Sequence, residues 1–517
     1  MRKKFLLLNL YLLLLVFPVF VFAQSLDEKL KEIDVYAEKT RTEWNVPGIA
    51  IAIVKDDKVV FAKGYGVREL GKTDKVDENT LFAIASNSKA FTTASLAILV
   101  DEKKLNWDDK VAKYLPEFQM SNPYITSELT VRDLVSHRSG LDTFSGDLLW
   151  YETTYSADEI LRRVRYLKPT SSFRSSFGYQ NLMFIAAGKV VERVSGKTWV
   201  QFVSEKILQP LGMTNTKTSI KQFKTGDNLA MPHNESGGRL RVVHYGNVDG
   251  ATAAAALNSS VLDVAKWLRL QLGKGKFEGK QIFSEAQSWQ MHQPAVVIPL
   301  SKAASEFNPT RHFNAYGLGW SLWDYHGRKV VSHGGGLDGM ISQTAMMPEE
   351  NLGLVVLTNS ETSVNTIMQN KIFDTMLGVP KRDWSAEIVE RTKRGKITAA
   401  EEAKKIEAAR VANTKMSLSL KDYAGNYIDQ LYGDATVTEE NGNLVLRFVQ
   451  SPNFVADLEH WHYDTFQIKW RPSVAYNFPR GFVTFTIDKT GKTDEMKIDQ
   501  PNNDFWFYEL EFKRKKN

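Results

Sequence analysis

Short apolar runs alternate with longer helical repeats from about Leu26 to Val379. Residues 90–100 are rich in alanine and apolar on nearly every side, which predicts a helix buried in a core. Apolar positions also recur at helical spacing over residues 182–194, shortly before Gly196. Four apolar runs predict strands: 49–54, 59–62, 329–331 and 352–357. Because strands lie at both ends with helices between them, the pattern predicts an α+β domain whose sheet joins distant segments.

Two further zones follow this domain. Residues 380–417 carry many charges and few large apolar side chains, which predicts a charged helical linker. Residues 418–517 contain short alternating runs separated by turns, and Asn441-Gly442 between two such runs predicts a β-hairpin. A further strand is predicted over Asp504–Phe512. The last zone is therefore interpreted as a small all-β barrel or sandwich.

The first 23 residues have the pattern of a secretory signal peptide. Basic residues at positions 2–4 precede an apolar run that reaches Phe22, and Val21 and Ala23 supply a cleavage-site pattern. We expect cleavage after Ala23 and a secreted or periplasmic mature chain. The alternative is an uncleaved membrane anchor, because the apolar run approaches the length of a span. No later stretch has 18 consecutive apolar residues, so no membrane span is expected after cleavage.

Composition excludes several kinds of chemistry. The 517 residues include no cysteine, which removes disulfides, thiolate metal sites and a cysteine nucleophile. The formal net charge is +6, and it falls to +3 without residues 1–23, which carry three basic residues and no acidic one. No basic run is interleaved with aromatic residues, so nucleic acid is not expected as a partner. No H-E-x-x-H or G-x-S-x-G motif occurs, so a zinc hydrolase and an α/β-hydrolase are disfavoured and no cofactor is expected.

Ser86-Asn87-Ser88-Lys89 is an S-x-x-K motif at the start of the alanine-rich helix. Residues three apart share one face of a helix, so Lys89 can reach the hydroxyl group of Ser86. A serine needs such a neighbouring base to act as a nucleophile, and N–H groups at a helix N-terminus can stabilise an oxyanion. The alternative is a serine near the N-cap followed by a solvated lysine.

Tyr179-Gln180-Asn181 directly precedes the second predicted helix. A tyrosine beside an ammonium group can relay protons, and Asn181 can donate a hydrogen bond to a substrate carbonyl or bind the lysine. The alternative is a tyrosine that packs in a turn, with the asparagine as a helix cap.

A glycine-rich segment, Ser332–Gly336, follows a predicted strand. Gly335 and Gly336 would let a substrate backbone approach the strand and would free N–H groups for an oxyanion hole. His333 would serve in recognition or proton transfer. The alternative is a glycine-rich turn with a histidine on the surface.

The order S-x-x-K, Y-x-N and H-x-G is much more specific than any of the three motifs alone. With it, the sequence resembles the serine β-lactamase-like hydrolases, especially the class C β-lactamase and D-Ala-D-Ala carboxypeptidase group that also contains esterases and D-aminopeptidases. The resemblance covers about residues 26–379 and includes the segments Lys63–Gly66, Thr130–Leu141 and Tyr316–Trp320. It implies an antiparallel sheet flanked by helices with an all-α subdomain. Residues 418–517 look like the lipocalin-like β-barrel that is appended to some of these hydrolases.

The resemblance also implies a mechanism through an acyl-enzyme. Ser86 would attack a carbonyl, and Lys89 and Tyr179 would share the roles of general base and general acid, although which of them is the base stays open. The substrate-binding residues that it implies are Asn181, His333, Gly335 and Gly336. The N–H groups of Ser86 and Gly336 would form the oxyanion hole.

Two departures from the family pattern bear on the substrate. His333 stands where β-lactamases usually have a lysine that binds the substrate carboxylate, and a neutral imidazole is a weaker anchor. Arg174-Ser175 replaces a Pro-Gly pair that often precedes Y-x-N. We therefore expect small esters, amides or D-amino-acid peptides as substrates, cell-wall peptides among them, rather than efficient β-lactam hydrolysis. The alternative is a non-catalytic penicillin-binding-like sensor or scaffold. The oligomeric state and the role of the barrel stay open.

Overall fold

An eight-stranded antiparallel sheet forms the centre of the N-terminal part of the protein. The computed structural model describes residues 24–236 and 238–516, so the predicted signal peptide lies outside the described residues. The strands are β1 (Gly48–Lys55), β2 (Lys58–Gly66), β3 (Val296–Val297), β4 (Asn314–Tyr316), β5 (Ser321–Tyr325), β6 (Arg328–Leu337), β7 (Met340–Met347) and β8 (Leu352–Thr358). Their order is β2-β1-β8-β7-β6-β5-β4-β3, and β1 pairs with β8. The prediction of a sheet that joins distant segments is confirmed.

Helices cover both faces of this sheet. The longer ones in the described chain are α1 (Leu26–Glu43), α2 (Ser88–Asp101), α3 (Asn181–Ser195), α4 (Val261–Leu272), α5 (Val364–Leu377) and α6 (Trp384–Ala408). Shorter helices span Pro123–Glu128, Val131–Leu134, Ala157–Arg163, Trp199–Val203, Gln209–Leu211, Thr252–Ala255, Glu285–Met291, Lys302–Phe307 and Leu420–Tyr423. The predicted helices at 90–100 and 182–194 correspond to α2 and α3, and α3 ends at Gly196 with φ 72°.

The burial of β1 explains its continuous apolar sequence. Alternate side chains of this strand enter two different cores, with Ala50 and Ala52 on one face of the sheet and Ile49 and Ile51 on the other. Helices α2, α3 and α4 pack in the first core, whereas α1 and α5 pack in the second. A strand that is buried on both faces loses the alternation of apolar and polar residues that marks a half-exposed strand.

A closed eight-stranded barrel follows the sheet domain. Its antiparallel strands are β9 (Gly425–Asp429), β10 (Gly433–Glu440), β11 (Asn443–Phe448), β12 (Val455–His462), β13 (Thr465–Trp470), β14 (Gly481–Ile487), β15 (Thr493–Asp499) and β16 (Phe512–Arg514). Asn441 and Gly442, with φ values of 50° and 77°, form the tight turn between β10 and β11, as predicted. The prediction of an α+β domain followed by an all-β barrel is confirmed.

The predicted strand over Asp504–Phe512 is wrong, because only Phe512–Arg514 pairs in the barrel. The Asn502 side chain folds the chain into a turn by accepting hydrogen bonds from the N–H groups of Asp504 and Phe505. Further on, the Glu509 carboxylate accepts hydrogen bonds from Ser145 Oγ (2.5 Å) and Gly146 N (2.8 Å) of the sheet domain. This segment therefore forms part of the contact between the two domains.

Loops of the barrel lie against the sheet domain on one side. Tyr155 donates a hydrogen bond to the carbonyl of Tyr432 (2.7 Å), and Thr154 N donates one to Gln450 O (2.8 Å). The ring of Phe505 lies 4.3 Å from that of Tyr151, centroid to centroid. Helix α6 is largely exposed after its first turn. Over residues 24–236 and 238–516, none of the helices has the length and apolarity that crossing a membrane requires.

Candidate active site

Ser86 lies in a single 3-10 turn, Ala85–Asn87, that leads directly into α2. Ala85 has φ 44°, in the left-handed region that residues with a Cβ atom rarely adopt, and such strain is concentrated at functional turns. Ser86 is partly exposed, whereas the residues on both sides of it are buried. The turn therefore presents one hydroxyl group to a cleft on an otherwise buried segment.

Strand β6 passes very close to this turn, and a glycine makes the approach possible. A Cβ atom at Gly335 would lie 2.2 Å from Ile84 O and 3.0 Å from Ser86 N. At Gly336 a Cβ atom would meet only a side-chain carbon at 3.5 Å. The two glycines therefore differ: the first is required by sterics, and the second is not.

Lys89 lies directly beneath Ser86. Its Nζ is 2.9 Å from Ser86 Oγ, 2.6 Å from Asn181 Oδ1 and 3.1 Å from Ala254 O. The side chain is fully buried, and this burial lowers the pKa of Lys89 to about 7, although the nearby Asp147 carboxylate opposes the shift. Near neutral pH a large fraction of this amine is therefore unprotonated and available to accept a proton.

Tyr179 closes the other side of the site. Its ring centroid is 4.8 Å from Lys89 Nζ, and the ring of His137 packs behind it at 4.1 Å. His137 Nδ1 also accepts a hydrogen bond from Gln180 N (2.9 Å), which fixes the turn that carries Tyr179. Burial raises the pKa of Tyr179, while its hydrogen bond with Ser86 opposes the shift. The phenol therefore keeps its proton at neutral pH.

Asn181 connects Lys89 to a carboxylate that no sequence motif indicated. Its Oδ1 accepts from Lys89, and its Nδ2 donates to Asp147 Oδ2 (2.6 Å). Burial raises the pKa of Asp147 to about 8, and the hydrogen bond from Asn181 partly opposes this shift. One Nδ2 hydrogen of Asn181 is left for a substrate carbonyl. A sequence pattern for Asp147 is absent because it lies 61 residues after Ser86, in a turn without a repeat.

His333 is buried, and both of its ring nitrogens have hydrogen-bond partners. Nδ1 lies 2.6 Å from Gly334 O, and Nε2 lies 2.8 Å from the hydroxyl of Tyr316. A carbonyl can only accept, so Nδ1 carries the proton and Nε2 accepts from the tyrosine. Burial and the nearby Lys89 lower the pKa of His333 to about 3. The imidazole is therefore neutral and provides no fixed positive charge.

A buried polar network attaches the start of α2 to the sheet. Asn87 Nδ2 donates to Ser342 Oγ (2.8 Å), and Thr344 Oγ1 donates to Asn87 Oδ1 (2.6 Å). Ser342 Oγ donates in turn to Ile84 O (2.8 Å). The network holds the Ser86 turn in register with β7, beside the glycines of β6.

These residues surround one cleft of about 570 Å³ between the two domains. The structure brings together all seven predicted site residues: Ser86, Tyr179, Asn181, His333, Gly335 and Gly336 line the cleft, and Lys89 lies beneath it. The barrel contributes Tyr476, Asp504 and Phe505 to the wall, a contribution that sequence reasoning missed. In the part of the chain that the structure describes, no group of three or more acidic or histidine side chains could hold a metal ion.

Comparisons with known proteins agree with this geometry. Residues 33–371 match the family described as Beta-lactamase. The chain belongs to the beta-lactamase family. Residues 409–514 match a domain of unknown function, DUF3471. The resemblance to serine β-lactamase-like hydrolases is thereby confirmed, and the enzyme class is that of a serine hydrolase.

Relatives and solved structures are similar over different parts of the chain. The Unguisins hydrolase ungD' of Aspergillus campestris is 30% identical over 443 residues, which are 81% of this chain and 79% of that protein. Protein flp of Staphylococcus aureus is 28% identical over 346 residues, 64% of each chain. The octameric penicillin-binding protein homologue from Pyrococcus abyssi has a TM-score of 0.62 and 21% identity, over 94% of this chain and 99% of that one. The D-amino acid amidase from Ochrobactrum anthropi has a TM-score of 0.55 and 20% identity, over 70% and 99%.

Proposed function

We propose that this protein hydrolyses small esters, amides or D-amino-acid peptides through an acyl-enzyme on Ser86. The contact that carries the proposal is the 2.9 Å distance between Lys89 Nζ and Ser86 Oγ. A lysine with a pKa near 7 beside a partly exposed serine is the arrangement that activates a hydroxyl nucleophile.

In the first half of the reaction, Ser86 Oγ attacks the substrate carbonyl while its proton passes to the neutral amine of Lys89. The negative charge that develops on the carbonyl oxygen is stabilised by the N–H groups of Ser86 and Gly336. The C–N or C–O bond to the leaving group then breaks, and the leaving group takes a proton from the Lys89 ammonium through the Tyr179 hydroxyl. We assign the general base to Lys89 rather than to Tyr179, because the pKa of Lys89 is lowered and that of Tyr179 is raised.

In the second half, a water molecule attacks the acyl carbon and gives its proton to the same amine. The ester bond to Ser86 Oγ then breaks, Oγ takes this proton from the Lys89 ammonium, and the acid product leaves with the neutral amine restored. Asn181 holds Lys89 in place throughout and has one amide hydrogen for the acyl carbonyl.

The substrate preference follows from His333. Efficient recognition of β-lactams needs a fixed cation for their carboxylate, and this imidazole is neutral with both nitrogens engaged. We therefore propose that the acyl groups of the substrates are uncharged or carry a charge other than the negative charge of the β-lactam carboxylate. The composition of residues 1–23 supports export of the chain, with cleavage after Ala23.

The decisive experiment replaces Ser86 with Ala. This variant should lose labelling by a fluorophosphonate probe and turnover of p-nitrophenyl esters. The matched control is Ser88→Ala, in the same motif, because the Ser88 hydroxyl is buried and only accepts a hydrogen bond from Leu257 N. Full activity of the Ser86→Ala variant would overturn the proposal.

The rival function is a sensor that is acylated but does not release the acyl group. Mass spectrometry of the intact protein after mixing with a β-lactam or an activated ester separates the two. An adduct on Ser86 that persists for hours supports a sensor, whereas its rapid loss with accumulation of product supports the enzyme. The contact of Lys89 with Ser86 favours the enzyme, because it leaves a base in place for deacylation.

A further inference from the structure

The barrel side of the cleft carries a concentration of carboxylates. Asp338 follows β6, Glu361 follows β8, and Asp504 comes from a loop of the barrel, and all three line the cleft. Asp147, beside Lys89, is a fourth. Among the described residues that line the cleft, none is lysine or arginine. The wall therefore presents four carboxyl groups and no basic side chain. Burial raises the pKa of Asp338 to about 7, and a cation beside this carboxyl favours its ionised form.

Asp338 is a buried carboxylate with one oxygen that has no hydrogen-bond donor among the described residues, as expected of a group that binds a ligand. The residue is only 5% exposed, and its Oδ2 accepts a hydrogen bond from the hydroxyl of Tyr151 (2.6 Å). No described residue donates a hydrogen bond to its other carboxylate oxygen, although the residue lines the cleft. The carboxylate of the neighbouring Glu152 is not available to a ligand in the same way, because it is already hydrogen-bonded to His244 (3.3 Å) and Asn453 (2.6 Å). A buried carboxylate is costly unless a donor or a cation meets it.

The barrel contributes a matching half of this wall. Tyr476 donates a hydrogen bond to Asp504 Oδ2 (2.7 Å), which orients the carboxylate at the cleft. The ring of Phe505 lies 5.1 Å from that of Tyr476 and 4.3 Å from that of Tyr151. Aromatic rings beside carboxylates favour an organic cation, since the ring face attracts the positive charge. A divalent metal ion does not fit, because these groups do not converge as a metal site in the described chain.

We propose that the barrel side of the cleft binds an ammonium group of the substrate, between Asp338 of the sheet domain and Asp504 of the barrel. The proposal rests on hydrolysis at Ser86 and narrows its substrates to esters, amides or peptides that carry a free amino group. A substrate with a carboxylate in the same place is repelled by this wall.

The test uses acyl p-nitroanilides that differ in charge at similar length. Propionyl and alanyl p-nitroanilide form one pair, and hexanoyl and 6-aminohexanoyl p-nitroanilide form a longer pair, so that the reach from Ser86 to the acidic wall is also varied. Both enantiomers of the alanyl compound are used. We expect kcat/KM for the cationic member to exceed that of its neutral partner by about tenfold in at least one pair.

Three variants and a control then test the assignment. Asp338→Asn and Asp504→Asn should each reduce the ratio of cationic to neutral kcat/KM by about fivefold or more. Asp504→Lys should reverse the preference, so that succinyl p-nitroanilide is hydrolysed faster than its alanyl counterpart. The control is Asp494→Asn, on a barrel strand outside the cleft, which should leave the ratio unchanged. Because the two aspartates come from different domains, failure of one variant to fold still leaves the other.

The outcomes separate the two proposals. Hydrolysis of neutral substrates that depends on Ser86, with no preference for the cationic member of either pair, overturns the ammonium site and leaves the hydrolase intact. A preference that persists in both asparagine variants also overturns the site. Absence of any Ser86-dependent turnover overturns the proposed function itself.

Discussion

The pH dependence of acylation should be controlled by Lys89, and Asp147 should shift it only slightly. A lysine ordinarily titrates near pH 10.5, and burial lowers the pKa of Lys89 to about 7. This difference corresponds to about 5 kcal/mol and raises the neutral fraction at pH 7 from about 1 in 3,000 to about one half. At pH 5 the neutral fraction is about 1%, so kcat/KM should be about fiftyfold lower there than at pH 7.

Asp147→Asn is the informative perturbation. The Asn181 amide bridges Lys89 and Asp147 through two hydrogen bonds of 2.6 Å, which places the two charges roughly 6–7 Å apart. With an effective dielectric constant of 20, their interaction is roughly 2.5 kcal/mol. Asp147 itself has a pKa of about 8, so about 90% of this carboxyl is protonated at pH 7 and only about a tenth of this effect is realised. Removing this remaining charge favours the neutral amine only slightly, so the acidic limb of the pH profile should move toward lower pH by about 0.2 pH unit or less.

The assay is kcat/KM for p-nitrophenyl acetate between pH 4.5 and 9, at constant ionic strength. Asparagine at position 147 can still accept the hydrogen bond from Asn181, so the variant changes charge more than geometry. At pH 5.5 its kcat/KM should be within about twofold of that of the unchanged protein, because Asp147 is already protonated there. Glu509→Gln is the control, since this buried carboxylate bonds Ser145 and Gly146 but does not contact Lys89. A limb that moves by about one pH unit or more in Asp147→Asn, in either direction, would refute the reasoning.

Four further substitutions test other parts of the structure. Gly335→Ala should lower ester turnover by about 100-fold or more, because its Cβ atom collides with Ile84 O, whereas Gly336→Ala should retain most of it; steady-state kinetics compare the two. Tyr179→Phe should reduce kcat by roughly 10²–10⁴-fold without moving the acidic limb, which a pH profile of the variant checks. Trp384→Ala should lower the free energy of unfolding by about 3–5 kcal/mol in denaturant titration, because the indole is fully buried and bonds a carboxylate through Nε1.

Local patterns were sufficient to predict much of the fold. The buried helix α2, the Gly196 terminus of α3 and the Asn441-Gly442 hairpin each follow from a few neighbouring residues. The segment over Asp504–Phe512 did not, although its residues alternate. Its conformation depends on Asn502 and on contacts of Glu509 with the sheet domain, and neither is visible in a local pattern.

The distinction between local sequence patterns and tertiary contacts also applies to the residues of the active site. Ser86, Lys89, Tyr179 and Asn181 belong to short motifs, because chemistry requires these residue types at fixed spacing on the start of a helix. Asp147 has no such constraint on spacing. It reaches the site through the turn after Gly146, and its contact with Asn181 is a tertiary one. Motif spacing can therefore indicate which groups react, whereas the groups that surround and hold them become visible only in three dimensions.

The barrel residues of the cleft also reach the site through tertiary contacts rather than through a sequence motif. Their position has a physical consequence for substrate specificity. The motifs of the sheet domain supply the reacting groups, but Tyr476, Asp504 and Phe505 form part of the cleft wall. A change in the barrel loops can therefore alter the charge and shape that a substrate meets while Ser86, Lys89 and Tyr179 keep their mutual geometry. Glu509 also links the barrel domain to the active site, because its carboxylate accepts hydrogen bonds from Ser145 and Gly146 in the turn that carries Asp147. Substrate choice should accordingly change more readily through the barrel than through the motifs.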